Sequence, residues 1–254
     1  MIYIVFLLFI FLILIIAAYQ WQYFMIFSPT YYRNGDLGKD CEILSVTTDD
    51  GIELEGVVYE PLSATQTLLV FNGRHHDSVG LIKKLSSAYP KVRVITFNYR
   101  SYGRSKGRAS EKNLLKDSLK IAEIVQKYYG DFSVLGFSIG TNIASFVAAN
   151  HKINSLFLVG AFDSLALLVK NKIGFDASAV SRYKFHTADY LKTVTIPVYL
   201  FASKTDEIIH VKNTRALKSH VKDMAHYEEF DDVSHDKMMF EDKIVIKINE
   251  VINV

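Results

Sequence analysis

Five runs in this chain, "TLLVF", "KVRVITFNY", "FSVLGF", "SLFLVG" and "IPVYLFAS", are largely apolar and lack a polar alternation. A strand with one wet face alternates apolar and polar side chains. A run without alternation needs cover on both faces, which a parallel sheet between two layers of helices supplies. Stretches of helical spacing separate these runs. "SEKNLLKDSLKIAEIVQKYY" places Leu114, Leu115, Leu119, Ile121, Ala122, Ile124 and Val125 on one side, with Ser110 as its cap. "VGLIKKLSSAY", "IGTNIASFVAAN", "VKNTRALKSHV" and a closing "MMFEDKIVIKINEVI" read as further helices. The alternation predicts an α/β domain over residues 41–254, a mainly parallel sheet with helices on both faces. "CEILSVTTDDGIELEGVVYEP" leads into it as two strands turning at Asp50-Gly51, and "AHYEEF" supplies a late short strand. A chain of 254 residues suits one such domain. Residues 160–195 fit the alternation least well and would lie above the carboxyl ends of the strands, where ligands bind in such sheets.

The start of the chain obeys a different rule. No charged side chain precedes Arg33, and residues 2–19 are nearly all apolar. A helix of that length, with its aromatic continuation to Phe27, spans a bilayer core. Tyr19, Trp21, Tyr23 and Phe24 would then lie at an interface. Residues 1–27 are therefore expected to be one transmembrane helix, and 28–40 a polar linker. Two rivals stand beside this reading. A cleaved signal peptide would want a basic start and a shorter apolar core. A buried core helix would want a polar face. Arg33 and Lys39 follow the segment and no Lys or Arg precedes it, which leans toward a cytoplasmic catalytic domain.

Composition removes several classes. The net charge is +2 with signs interspersed, so no nucleic-acid footprint is expected. Cys41 is alone, forms no internal disulfide, and is a weak nucleophile candidate at the start of a strand. There is no H-E-x-x-H, no His/Asp/Cys cluster with metal spacing, and no P-loop or dinucleotide fingerprint. Neither metal nor cofactor is expected.

Chemistry is carried by "SVLGFSIGTN", residues 133–142. G-x-S-x-G alone is weak. Here an apolar strand precedes Ser138 and a small-residue helix follows at once, so the hydroxyl would project above the sheet on a sharp turn. Gly136 and Gly140 would keep strand and helix from colliding. A serine hydroxyl needs a base, and the base needs an orienting acid. Asp206 in "KTDEIIHV" and His235 in "VSHDKM" each lie just beyond a strand, in the order Ser, Asp, His. Asp163 in "VGAFDSL" is a rival acid. In "LLVFNGRHHD" the Arg74 N–H and, beyond the nucleophile, the Ile139 N–H are candidate oxyanion donors. Asn72-Gly73 has a competing reading as a hairpin turn. His75 and His76 either line the pocket or pack a loop, and His210, His220 and His226 read as ordinary.

"FNYRSYGRSKGRASEKNLLKD", "GFSIG", "KTDEIIHV" and "SHDKM" together resemble the membrane-anchored α/β-hydrolase-domain serine hydrolases over about residues 40–250. The resemblance implies an α/β-hydrolase fold, Ser138 as nucleophile, Asp206 and His235 as its partners, and Arg74 with Ile139 as oxyanion donors. Asn72 stands where the family usually has histidine, and Asn98 and Ser101 replace an aspartate and a glycine. The expected activity is hydrolysis of a carboxylic ester or thioester of a small or lipid-like acyl substrate at a membrane, without cofactor. An acyltransferase or peptidase using the same residues, and a non-catalytic membrane-tethered binding module, are the alternatives.

Overall fold

The computed structural model describes residues 2–33, 37–176 and 178–253; positions 34–36 of the expected linker lie outside the described residues. Eight strands form one sheet: β1 (Cys41–Thr47), β2 (Glu53–Tyr59), β3 (Thr67–Phe71), β4 (Arg93–Phe97), β5 (Ser133–Phe137), β6 (Leu156–Val159), β7 (Val198–Ser203) and β8 (Met224–Phe230). Their spatial order is β1-β2-β4-β3-β5-β6-β7-β8. The β1–β2 hairpin is antiparallel, closing with Thr47 opposite Glu53 across Asp50-Gly51, and β2 runs antiparallel to β4. From β4 to β8 every pairing is parallel.

The continuous apolar runs have the cover they demand. Every residue of β3, β5 and β6 is buried. Successive side chains of β3 enter opposite layers, Leu69 and Phe71 into one core and Leu68 and Val70 into the other. The first layer includes α3 (Glu111–Tyr129) and α4 (Ile139–Asn150); the second includes α2 (Ile82–Ala88) and α9 (Asp242–Ile252). Ser110 caps α3 by accepting from the Asn113 N–H at 3.2 Å. The closing helical stretch is split. His235–Met238 forms one turn, α8, before α9 begins, so His235 opens a helical turn rather than lying in a loop.

The site follows from topology. The chain passes from β3 through α2 to β4 on one side, then through α3 to β5 on the other side of β3. The carboxyl ends of β3 and β5 therefore diverge at a switch point, where open α/β sheets bind ligands. The register sets Phe71 opposite Gly136, which brings the segment after Phe71 beside Ser138.

The N-terminal helix, α1 (Ile2–Ile26), is long and apolar enough to cross a membrane. Its apolar side chains are exposed along most of its length, but its end docks. Tyr23 and Phe27 are buried in the first core layer, and the Phe27 ring meets Tyr183 edge-on at 5.1 Å. Residues 160–197 carry two short helices, α5 (Leu165–Ile173) and α6 (Thr187–Leu191), and α7 (Val211–Leu217) follows β7.

Candidate active site

Ser138 sits between β5 and α4 with φ 55° and ψ −122°, a conformation sparsely occupied by residues with a side chain. The neighbours leave no room for larger residues. A Cβ on Gly136 would lie 2.6 Å from the Gly140 carbonyl oxygen, and one on Gly140 would lie 2.0 Å from the Phe71 carbonyl oxygen. The glycine pattern thus serves backbone packing of strand, turn and helix. The Ser138 N–H donates to Val159 O at 3.0 Å, and Ser138 O accepts from Thr141 N and Oγ1 at 3.0 and 2.6 Å. The turn is held from three sides while its hydroxyl makes no hydrogen bond among the described residues.

Asp206 and His235 are brought together. His235 Nδ1 lies 2.8 Å from Asp206 Oδ2, and both side chains are buried. Asp206 Oδ1 accepts from the N–H groups of Ile208 and Ile209 at 2.8 and 2.6 Å, which fixes the carboxylate plane. A carboxylate at that distance keeps the proton on Nδ1 and leaves Nε2 as the acceptor. The His235 ring packs 5.0 Å from the ring of Phe137, the residue before Ser138. Among the described residues no hydrogen bond joins Ser138 to His235, a looseness common before substrate binds.

The rival acid is engaged elsewhere. Asp163 Oδ2 lies 3.6 Å from His220 Nε2. His210 caps α7 through Nδ1, and His226 pairs with Glu228 at 3.2 Å. His76 is mostly buried and stacked on Phe137 at 5.7 Å; burial lowers its pKa to about 4, so the ring is neutral at pH 7. His75 is lowered too, first by burial and then by Arg74.

The oxyanion candidates flank the same point. A Cβ on Gly73 would lie 3.4 Å from Ser138 Cβ, so the Gly73–Arg74 turn packs against Ser138. Neither the Arg74 nor the Ile139 N–H donates to a backbone or side-chain acceptor among the described residues. The turn is braced from behind: Tyr99 Oη donates to Asn72 O at 2.7 Å and Tyr102 Oη to Arg74 O at 2.8 Å. Asn72 points away, donating through Nδ2 to Ser78 and Thr96, both at 2.9 Å. It therefore pins the turn instead of entering the site. Asn98 is equally structural, bonding Asp77, Glu55 and the Ser78 N–H. Ser101 holds the glycine-like φ of 72° and compensates by bonding Gly107 O and the Ala109 N–H through its hydroxyl.

One neighbour escaped sequence reasoning. Gly160, just after β6 with φ 61°, abuts the Asp206–His235 pair: a Cβ there would meet His235 Cε1 at 3.3 Å and Asp206 Oδ2 at 3.7 Å. Its only signal was a glycine at the end of a buried strand. No group of three or more potential metal ligands occurs among the described residues.

The sheet order, the strained turn after β5 and the Asp–His pair beyond β7 and β8 define the α/β-hydrolase fold. Solved structures bear this out. An esterase of Pyrococcus furiosus aligns with a TM-score of 0.70 at 16% identity, covering 90% of this chain and 97% of that one. Acetyl xylan esterase 1 from Thermoanaerobacterium sp. aligns with a TM-score of 0.70 at 14% identity over 89% of both chains. An esterase from Exiguobacterium antarcticum aligns at 0.63 and 16% identity, covering 83% of this chain and 99% of that one. Protein bem46 of Schizosaccharomyces pombe is 24% identical over 190 residues, 68% of this chain; the match spans 63% of bem46, less than two thirds of its length. No family model matches the chain.

Proposed function

We propose that this chain is a serine hydrolase that cleaves a carboxylic ester or thioester at a membrane surface. His235 Nε2 takes the Ser138 proton, Ser138 Oγ attacks the carbonyl carbon, and the Arg74 and Ile139 N–H groups hold the oxyanion. His235 then protonates the leaving group, and water, deprotonated by the same nitrogen, releases the acid from the acyl-enzyme. The observation that carries the reading is the buried Asp206–His235 bond at 2.8 Å, with the His235 ring packed on Phe137 next to a serine held on a strained turn. Esterases among the structural neighbours support the ester class. The membrane part of the reading rests on α1. Its side chains form a contiguous exposed apolar surface from Ile2 to Ile16, which a soluble monomer does not carry. Arg33 and Lys39, just after the apolar segment, favour a cytoplasmic catalytic domain.

A fluorophosphonate probe tests the chemistry. Wild type should label covalently and Ser138→Ala should not, with the melting temperature almost unchanged, since alanine keeps the Cβ in the same strained turn and no bond to the hydroxyl is lost. Equal ester turnover by Ser138→Ala would refute the proposal.

A further inference from the structure

Beside the end of α1, an open groove of about 460 Å³ is lined by Tyr19, Ser110, Glu111, Lys112, Arg182 and Tyr183. It lies outside the catalytic pair. It is rich in donors without acceptors. Arg182 Nη1 and the Tyr183 hydroxyl are both buried with no hydrogen-bond partner among the described residues, and Tyr183 is only 4% exposed. Leaving such donors unpaired is costly, more so for a charged group. The amino end of α3 opens on the same groove at its cap, Ser110, and adds the positive end of a helix dipole. The local charge is positive. Arg182 stacks over Tyr19 at 4.4 Å, Arg108 over Tyr23 at 4.5 Å, and Lys112 is exposed at the rim. The opposing Glu111 carboxylate is already satisfied by the N–H groups of Phe185 and Lys184 at 2.6 and 2.7 Å.

Depth supplies the ligand. Residues 2–18 of α1 rise about 25 Å at ~1.5 Å per residue, most of a hydrocarbon core of about 30 Å. Tyr19 then sits where that core ends, and the Arg182 and Arg108 guanidinium groups stacked near it lie at the level of lipid phosphates. We propose that this groove binds the phosphodiester headgroup of an anionic phospholipid, with Arg182 and Tyr183 donating to its phosphate oxygens and Arg108 and Lys112 supplying charge. The site rests on the membrane-anchor reading of α1. Its effect is to fix the tilt of the hydrolase domain against the bilayer, since one bound headgroup joins α1, α3 and the segment before α6.

The test uses the full chain in neutral detergent, with bound lipid counted by native mass spectrometry. Phosphatidylglycerol should bind about tenfold tighter than phosphatidylcholine of the same acyl chains. Arg182→Gln and Tyr183→Phe should each weaken phosphatidylglycerol about tenfold, the worth of one charge-assisted hydrogen bond, and Lys112→Gln less. Fluorophosphonate labelling of each variant confirms that it is folded. Equal phosphatidylglycerol occupancy in wild type and both variants overturns the site. So does displacement of the lipid by millimolar inorganic phosphate that binds with the same residue dependence, which would make the groove a soluble-phosphate site. Alkaline carbonate extraction of membranes reads the anchor separately: release of the intact chain sinks the anchor reading, whereas retention without lipid discrimination sinks only the headgroup site.

Discussion

An asparagine at position 206 would keep the shape of the site and reverse its chemistry. The two N–H groups of Ile208 and Ile209 hold one oxygen of the present carboxylate, so the amide oxygen would take that place and its NH₂ would face His235 Nδ1. Nδ1 would then have to accept, the proton would move to Nε2, and no base would face Ser138. Asp206→Asn is expected to lower kcat by about 10⁴-fold with little change in KM. Asp163→Asn loses only a partly exposed ion pair with His220 and should stay within about fivefold of wild type, since such pairs contribute about 0–1 kcal/mol. Steady-state kinetics on a p-nitrophenyl ester separates the two; the reverse ranking would move the acid to Asp163. His76 yields a pH prediction. Burial lowers its pKa from 6.5 to about 4, so between those values the unfolded chain binds a proton that the folded chain refuses. Stability contributed by the neutral ring is complete above pH 6.5 and is lost as pH falls toward 4, by up to about 1.4 kcal/mol per pH unit. His76→Phe keeps the stack on Phe137 and has no proton to bind. Its melting temperature should fall less steeply than that of wild type between pH 6.5 and 4, and parallel curves would contradict the assignment.

At the scale of elements, α1 belongs to two environments. Its first four turns face outward, while Tyr23 and Phe27 are core residues of the hydrolase domain. The junction also reaches the catalytic side. Tyr102 Oη accepts from the Ser28 N–H at 2.9 Å while donating to Arg74 O, and the Arg74 guanidinium bonds Met25 O. The end of the helix thus buttresses the turn that carries an oxyanion candidate. Two truncations should therefore differ. A chain starting at Tyr19 removes exposed apolar surface and keeps every contact named here; it should be soluble and label with the fluorophosphonate probe at the wild-type rate. A chain starting at Ser28 loses the Phe27 ring, worth about 3–5 kcal/mol when a buried phenylalanine is removed, and should melt lower and label more slowly. Equal melting temperatures would show that the docking of α1 contributes nothing. The sequence marked the second end of this helix as aromatic and suited to an interface, not as part of the hydrolase core. What separates the two ends is a partner, the Tyr183 and Phe185 rings more than 150 residues away, and no local pattern announces a contact at that separation.

For the whole molecule, legibility divides along the same line. Strands β3 to β7 were readable because strands covered on both faces are largely apolar, whereas β8, at the sheet edge, is mixed in polarity; the Ser138, Asp206, His235 order stands out because each residue follows the carboxyl end of a parallel strand. The split between α8 and α9, the bracing by Tyr99 and Tyr102 and the position of Gly160 depend on tertiary neighbours and were not. The least patterned region, residues 160–197, bears on what the enzyme accepts. It holds only two short helices, α5 and α6, between β6 and β7, too little chain for an independent cap that would enclose a deep pocket. On the membrane-anchor reading, a shallow site would offer a long acyl chain an apolar path from the bilayer and would not enclose an extended peptide. Alkoxides and thiolates are also better leaving groups than amide nitrogens, which must be protonated before they depart. The expected result is that p-nitrophenyl esters are hydrolysed at least about a hundredfold faster, as kcat/KM, than anilides of the same acyl groups, with activity rising from acetyl to octanoyl. An anilide turned over as fast as its matching ester would point to a peptidase and overturn the acyl-ester reading, while leaving Ser138, Asp206 and His235 in their roles.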